Sequence, residues 1–137
     1  MTNLLIDINI VIDLLAKREE FYEEAAELFS RSDKNELILA ISTLTLANTN
    51  YVLSKLTSPK QAREILRKFK VLVKVLSLDD KITELALSDD DFPDFEDGLQ
   101  YYSAVVNQID VIITRNKKDF KHSKIPVLSA KEFLAKG

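Results

Sequence analysis

Three aspartates, Asp7, Asp97 and Asp119, stand where the chain passes from apolar runs into polar segments, and each can offer a carboxylate to one shared rim. Two runs frame them: Leu4-Leu5-Ile6-Asp7-Ile8-Asn9 near the amino terminus and Val111-Ile112-Ile113-Thr114-Arg115-Asn116-Lys117-Lys118-Asp119 near the other end. A short aliphatic run suits a parallel strand covered by helices on both faces, and ligands of such sheets bind outside the strands' carboxyl ends. Asp7 and Asp119 therefore converge if the two strands are neighbours. The acid-dense stretch from Asp89 to Asp97 leads into an amphipathic helix that brings the third carboxylate to the same rim. Oxygen ligands gathered without cysteine or histidine suit hard divalent cations, Mg²⁺ or Mn²⁺. The matching chemistry is metal-assisted phosphodiester hydrolysis, in which the cation orients a water, lowers its pKa and neutralises charge on the phosphate.

Each aspartate also has an ordinary use. Asp7 is placed to cap a helix beginning near Ile10, Asp97 gains from the dipole of its helix's first turn, and Asp119 suits a polar turn. Independent local roles do not account for two strand ends and one helix start all presenting acids to one side. Asp89, Asp90 and Asp91 read as a solvated loop and Asp13 as a solvated or capping acid of the first helix. The single histidine, His122, reads as exposed. Tyr101 and Tyr102 fall on adjacent faces of the Asp97 helix, one in the core and one exposed, with Tyr101 a surface on which a base can stack.

The elements that must position these residues alternate. Leu37 to Ile41 and Val71 to Leu76 read as strands, and Ile125 to Leu128 as an edge strand, since Pro126 cannot donate within a central ladder. Helical stripes run through Phe21, Ala25, Leu28 and Phe29, and through Ala62, Ile65, Leu66 and Phe69, the latter started by Ser58-Pro59 as cap and first-turn proline. Further helices are expected over 43–54, 79–87, 95–108 and 130–135. The fold class is α/β, a three-layer α/β/α sandwich around a central, mostly parallel sheet, in a single domain over 1–137.

Composition agrees. The 137 residues are 46% hydrophobic and 30% charged, enough for one core and one soluble surface. No cysteine means no disulfide and no thiolate site. Two glycines leave no room for a phosphate-cradling glycine loop. No apolar stretch has the length of a membrane span and no signal-type start is visible, so the expected compartment is the cytoplasm. A net charge of −3 argues against global attraction to polyanions but not against local basic faces. Candidates for such faces include Lys60, Arg63 and Arg67, and Lys117, Lys118, Lys121 and Lys124, most of them read as solvated surface.

The run Leu4 to Leu15, with its aspartate, asparagine and following helix, resembles the amino-terminal signature of PIN domains. So do Asp97-Gly98-Leu99-Gln100 opening a helix and Thr114-Arg115-Asn116 followed by Asp119-Phe120. The short microbial members of that family include VapC-like toxins of type II toxin–antitoxin pairs. The resemblance implies a metal-dependent ribonuclease acting on RNA, with Mg²⁺ or Mn²⁺ held by Asp7 and Asp97 and Asp119 completing the acidic rim. It implies supporting roles for Asn9, Thr114 and Asn116, a substrate phosphate steadied by Arg115 or Lys117, a cognate antitoxin, and a homodimer. One position departs from the pattern: many such toxins carry a glutamate where this chain has Asn48. An amide carbonyl can still ligate, but it brings no charge and weakens cation affinity. The alternative is a non-cleaving PIN-like module that binds RNA or protein. A receiver-like signalling domain fits less well, because its middle strands lead to Ser42 and Ser77 rather than to a phosphoacceptor aspartate.

Overall fold

The computed structural model describes residues 1–136. Five strands, β1 (Thr2–Ile6), β2 (Leu37–Ser42), β3 (Lys74–Leu76), β4 (Val111–Ile113) and β5 (Val127–Leu128), form one sheet in the order β3-β2-β1-β4-β5, every recorded pairing parallel. Among the described residues seven α-helices cover it: α1 (Ile8–Leu15), α2 (Tyr22–Asp33), α3 (Thr43–Leu56), α4 (Pro59–Phe69), α5 (Asp80–Leu87), α6 (Phe95–Val106) and α7 (Ala130–Ala135). This is the α/β/α sandwich expected from the alternation of strands and helices.

The central strand explains the layering. Leu4, Leu5 and Ile6 are all buried, and strand alternation sends Leu4 and Ile6 into one core while Leu5 enters the other. The larger core gathers Val11, Leu28, Phe29, Ile41, Leu53, Leu66 and Phe69 beneath α1 to α4 and α7. The smaller gathers Phe92, Tyr101, Ala104, Ile109, Ile112 and Phe120 on the α6 side. Full burial of each large aliphatic side chain contributes about 1.5–3 kcal/mol, so a strand apolar on both faces is fixed at the sheet's centre. The β1–β4 register pairs Ile6 with Ile113, so Asp7 and Thr114 leave the sheet side by side.

Local boundaries follow from caps. Ser58 accepts from the Gln61 N–H at 3.1 Å ahead of Pro59, and Ser129 with Glu132 forms a reciprocal capping box on α7. Helix α1 begins at Ile8, earlier than expected, because Asp7 itself is the cap. The expected strand over 71–76 is shorter: Lys70–Leu72 form a 3₁₀ turn that leaves Val71 84% exposed, and pairing begins at Lys74. Ile125 and Pro126 also precede rather than join β5, which lies at the sheet edge as expected.

Candidate active site

The site begins with the turn after β1. The Asp7 N–H donates to the Ile113 carbonyl at 3.0 Å, extending the β1–β4 pairing by one residue and delivering the side chain to the carboxyl rim. Its Oδ1 accepts from the Ile8 N–H at 2.8 Å and its Oδ2 from the Thr114 hydroxyl at 2.7 Å. Burial nevertheless raises the Asp7 pKa above the usual carboxylate value; those hydrogen bonds oppose the shift, and Asp119 adds to it.

Thr114 is fully buried at the end of β4, where its N–H donates to the Leu128 carbonyl at 3.0 Å. Its Oγ accepts from the Asn116 N–H at 3.0 Å while its hydroxyl donates to Asp7, so one threonine ties the following loop to the first carboxylate. The Asp119 N–H then donates to the Asn116 carbonyl at 3.0 Å within the 3₁₀ turn Lys117–Phe120. Buried Phe120 anchors that turn and leaves Asp119 exposed at the rim.

Asp97 comes from the other side. Asp94 caps α6 by accepting from the N–H groups of Glu96 (2.8 Å) and Asp97 (3.2 Å). A Cβ added to Gly98 would meet the Ala86 Cβ at 3.4 Å, which shows how closely α6 lies against α5. Packing holds the half-buried Asp97 in the first turn, and its pKa rises to about 6. Burial is the first cause, followed by the charges of Asp94, Asp119, Asp7 and Glu96. The three aspartates named from the sequence thus act electrostatically on one another. A cavity of about 340 Å³ opens at two of them, Asp97 and Asp119, lined also by Asp91, Asp94, Lys118 and Lys121.

Asn48 is placed against this rim. Its amide donates to Glu96 Oε1 at 3.1 Å, joining α3 to the acid-bearing turn of α6. Asn9 is half-buried in the first turn of α1. A buried network that the sequence reading did not foresee supports both walls: Gln100 donates to Thr45 Oγ1 at 2.6 Å, and Ser42 Oγ accepts from the Thr45 N–H at 3.1 Å. These bonds tie α6 to the end of β2. The signal available in the sequence was a serine closing an aliphatic strand just before a helix, a cap position whose partner on α6 no local pattern reveals.

Four expectations are corrected. Asp13 is not solvated: it is 1% exposed, and Arg115 Nη1 lies 3.2 Å from each of its oxygens, with Arg18 at 3.8 Å. Such a carboxylate is tolerable in the core only because cations answer it. Arg115 also lies over the Phe21 ring at 3.8 Å, so its charge is held by Asp13 and Phe21 rather than free for a phosphate. Tyr101 is buried, stacked on Phe92 with ring centroids 4.7 Å apart, and offers no face to a base. Within the acidic loop, Asp90 and Asp91 are exposed, but Asp89 is half-buried and accepts from the Tyr102 hydroxyl, which tethers the loop to α6. Lys117 is paired with Glu132 at 2.9 Å, and His122 is exposed as expected.

Among the described residues, no three acidic or histidine side chains stand close enough to enclose a metal ion by themselves. That does not conflict with a hard cation: Mg²⁺ keeps several waters and is commonly held by one or two carboxylates. The donor set fits, because Asp7 and Asp97 offer oxygen ligands whose charges are raised in energy by burial and by neighbouring carboxylates. No helix of the described residues is long and apolar enough to cross a membrane.

A family model described as PIN domain matches residues 3–118. Ribonuclease VapC1 of Aquifex aeolicus (strain VF5) is 28% identical over 135 residues, covering 93% of this chain and 90% of that protein. Among solved structures, FitAcB from Neisseria gonorrhoeae superposes with a TM-score of 0.72 at 15% identity, covering 93% of this chain and 98% of that one. VapBC2 from Rickettsia felis, bound to a DNA fragment from its promoter, gives 0.69 at 20% identity over 93% of this chain and 98% of that one. These two likenesses establish the fold.

Proposed function

This chain belongs to the PIN domain family, and we propose that within it the protein is a divalent-metal-dependent endoribonuclease, the toxin of a type II toxin–antitoxin pair. The observation that carries the reading is the convergence of acids at one rim of a parallel sheet, where Asp119 bears on Asp7 and both bear on Asp97. Similarity to a protein named as a ribonuclease supports it along nearly the whole chain. The known complexes that share this fold support a cognate antitoxin as partner. The homodimer expected from the family is part of the same proposal.

Asp7 and Asp97 would hold Mg²⁺ or Mn²⁺, with Asp119 completing the rim. When bound, such a cation polarises the phosphate and lowers the pKa of water. The chain's own contribution is placement. Thr114 fixes Asp7 by donating to Oδ2, and the Asn116 N–H fixes Thr114 in turn, so the carboxylate cannot swing away from the rim. Asp94 fixes the backbone of the first turn of α6, on which Asp97 rides. Hydrolysis then proceeds by in-line addition of water to phosphorus with expulsion of the leaving ribose oxygen.

The test is an assay on mixed RNA with and without Mn²⁺, for wild type and Asp97→Asn. Wild type should cut only with the cation. The variant should lose on the order of 100-fold or more, since even outer-shell changes at metal sites cost 10–100-fold, while circular dichroism shows an unchanged fold. Metal-independent cutting, or full activity in the variant, would overturn the proposal.

A further inference from the structure

Charge is divided unequally across the rim. On the α5–α6 side stand Asp90, Asp91, Asp94 and Glu96, all exposed. The rim cavity lined by Asp91 and Asp94 also takes in Lys118 and Lys121, and Lys121 lines a second hollow of about 470 Å³ together with Lys124 and Val127 of β5. Among the described residues, Lys118, Lys121 and Lys124 have no carboxylate within ion-pair distance, whereas Lys117 is engaged by Glu132. The two hollows share Lys121, so Lys118, Lys121 and Lys124 follow one another from the rim cavity at Asp119 to the hollow that reaches β5.

A phosphodiester strand carries one negative charge per nucleotide, so its affinity for a surface follows the line of cations it can neutralise. At Lys118, Lys121 and Lys124 a phosphate meets a cation with no ion-pair partner, although Asp91, Asp94 and Asp97 share the rim cavity with the first two; over residues 89–97 it would meet carboxylates alone. We propose that an RNA strand lies on this protein on one side of the cut only, its backbone following Lys118, Lys121 and Lys124 beside β5, with the acidic loop repelling the strand's continuation. This rests on the ribonuclease reading of the rim and adds to it a polarity and a strand number. A duplex would set its second backbone against the acidic loop, so the path selects single strands.

The test is binding of a fluorescein-labelled single-stranded 12-nucleotide RNA by anisotropy, in EDTA to prevent cutting, across a salt series. The triple variant Lys118→Ser, Lys121→Ser, Lys124→Ser is compared with a control triple, Lys34→Ser, Lys60→Ser, Lys74→Ser, which removes the same charge from exposed positions elsewhere. Each lost phosphate contact should flatten the slope of log K against log salt by about 0.7, hence by about 2 for the path variant, with at least a tenfold loss of affinity at low salt. The control should keep the wild-type slope. Melting temperatures identify any variant that has not folded, and Lys121→Glu alone, expected to weaken binding several-fold, then replaces it. Equal slopes in the two triples, or tighter binding to a hairpin duplex than to the strand, would overturn the path. A wild type that binds RNA through these lysines yet cuts nothing in Mn²⁺ would instead retain the path and sink the nuclease reading.

Discussion

Asp7 caps one short helix and Asp13 lies within it, and both have pKa values raised by burial, yet the molecule answers the two charges differently. Asp13, the more buried, receives Arg115 on both oxygens and Arg18 nearby. Asp7 receives hydrogen bonds from the Ile8 N–H and the Thr114 hydroxyl, together with like charge from Asp119. Arg115 acts on Asp7 as well, but less than burial, the two hydrogen bonds and Asp119, and without contact. A buried carboxylate given its own cation is a structural joint; one given neutral donors and acidic neighbours is left unbalanced, which is what a cation from solution would relieve in the function proposed above. Arg115 belongs to loop 114–116, so its joint with Asp13 also steadies the loop from which Thr114 reaches the rim.

The largest effect should come from breaking the joint. Arg115→Ala leaves Asp13 in the core with Arg18 alone at 3.8 Å. Uncompensating a buried pair costs about 3–5 kcal/mol, on the order of 10 °C in Tm for a chain of this size. Asp7→Asn should leave the Tm of the metal-free protein unchanged or raise it. Melts followed by circular dichroism in EDTA decide: equal losses for the two variants would erase the distinction between the aspartates.

Next in size is the response to metal. A cation that binds the folded state at one hundred times its Kd stabilises it by about 2.7 kcal/mol. Mn²⁺ should therefore raise the Tm of wild type, and of Asp13→Glu, which keeps the charge of the joint. It should not raise that of Asp7→Asn or Asp97→Asn. A full rise in the last two would place any bound metal elsewhere.

The same contrast shows where the sequence was readable. Strands β1 and β4 stood out because each is an unbroken aliphatic run, and their register then brings Asp7 and Thr114 together without further information. Asp97 was readable as a first-turn acid of an amphipathic helix. Asp13 was misread because its partner lies 102 residues away and no local spacing announces it. Arg115 was misread for the same reason, since an arginine beside a rim residue looks free until its side chain is seen to turn back onto Phe21. Val71 and Leu72 were misread as strand because an aliphatic run has no period of its own, and the sheet's edge needed only three residues there.

A smaller effect lies in pH. A carboxyl whose pKa is higher in the folded than in the unfolded protein binds its proton more tightly when folded. Its penalty is absent below the unfolded value of 3.8 and fully present above about 6 for Asp97. In EDTA the Tm of Asp97→Asn minus that of wild type should grow as pH rises from 4 to about 6.5 and then level off. Glu132, whose pKa is pulled down to about 2, is common to both proteins and drops out of the difference. A difference independent of pH would mean that Asp97 is not held unbalanced at the rim.

The smallest effect tests whether Asn48 belongs to the unbalanced group. In the structure its amide donates to Glu96, so Asn48→Glu replaces a hydrogen bond with two facing carboxylates. In EDTA this should cost about 0.5 kcal/mol, the range of an exposed charge pair with its sign reversed. In Mn²⁺ the order should invert, because the added carboxylate supplies the charge that an amide lacks, and calorimetric titration should show tighter binding by several-fold. Opposite signs in the two buffers would be hard to obtain from a residue remote from the metal. Equal Mn²⁺ affinities for wild type and variant would assign Asn48 to the contact between α3 and α6 alone, as one more neutral link in a wall whose charges are supplied by Asp7 and Asp97.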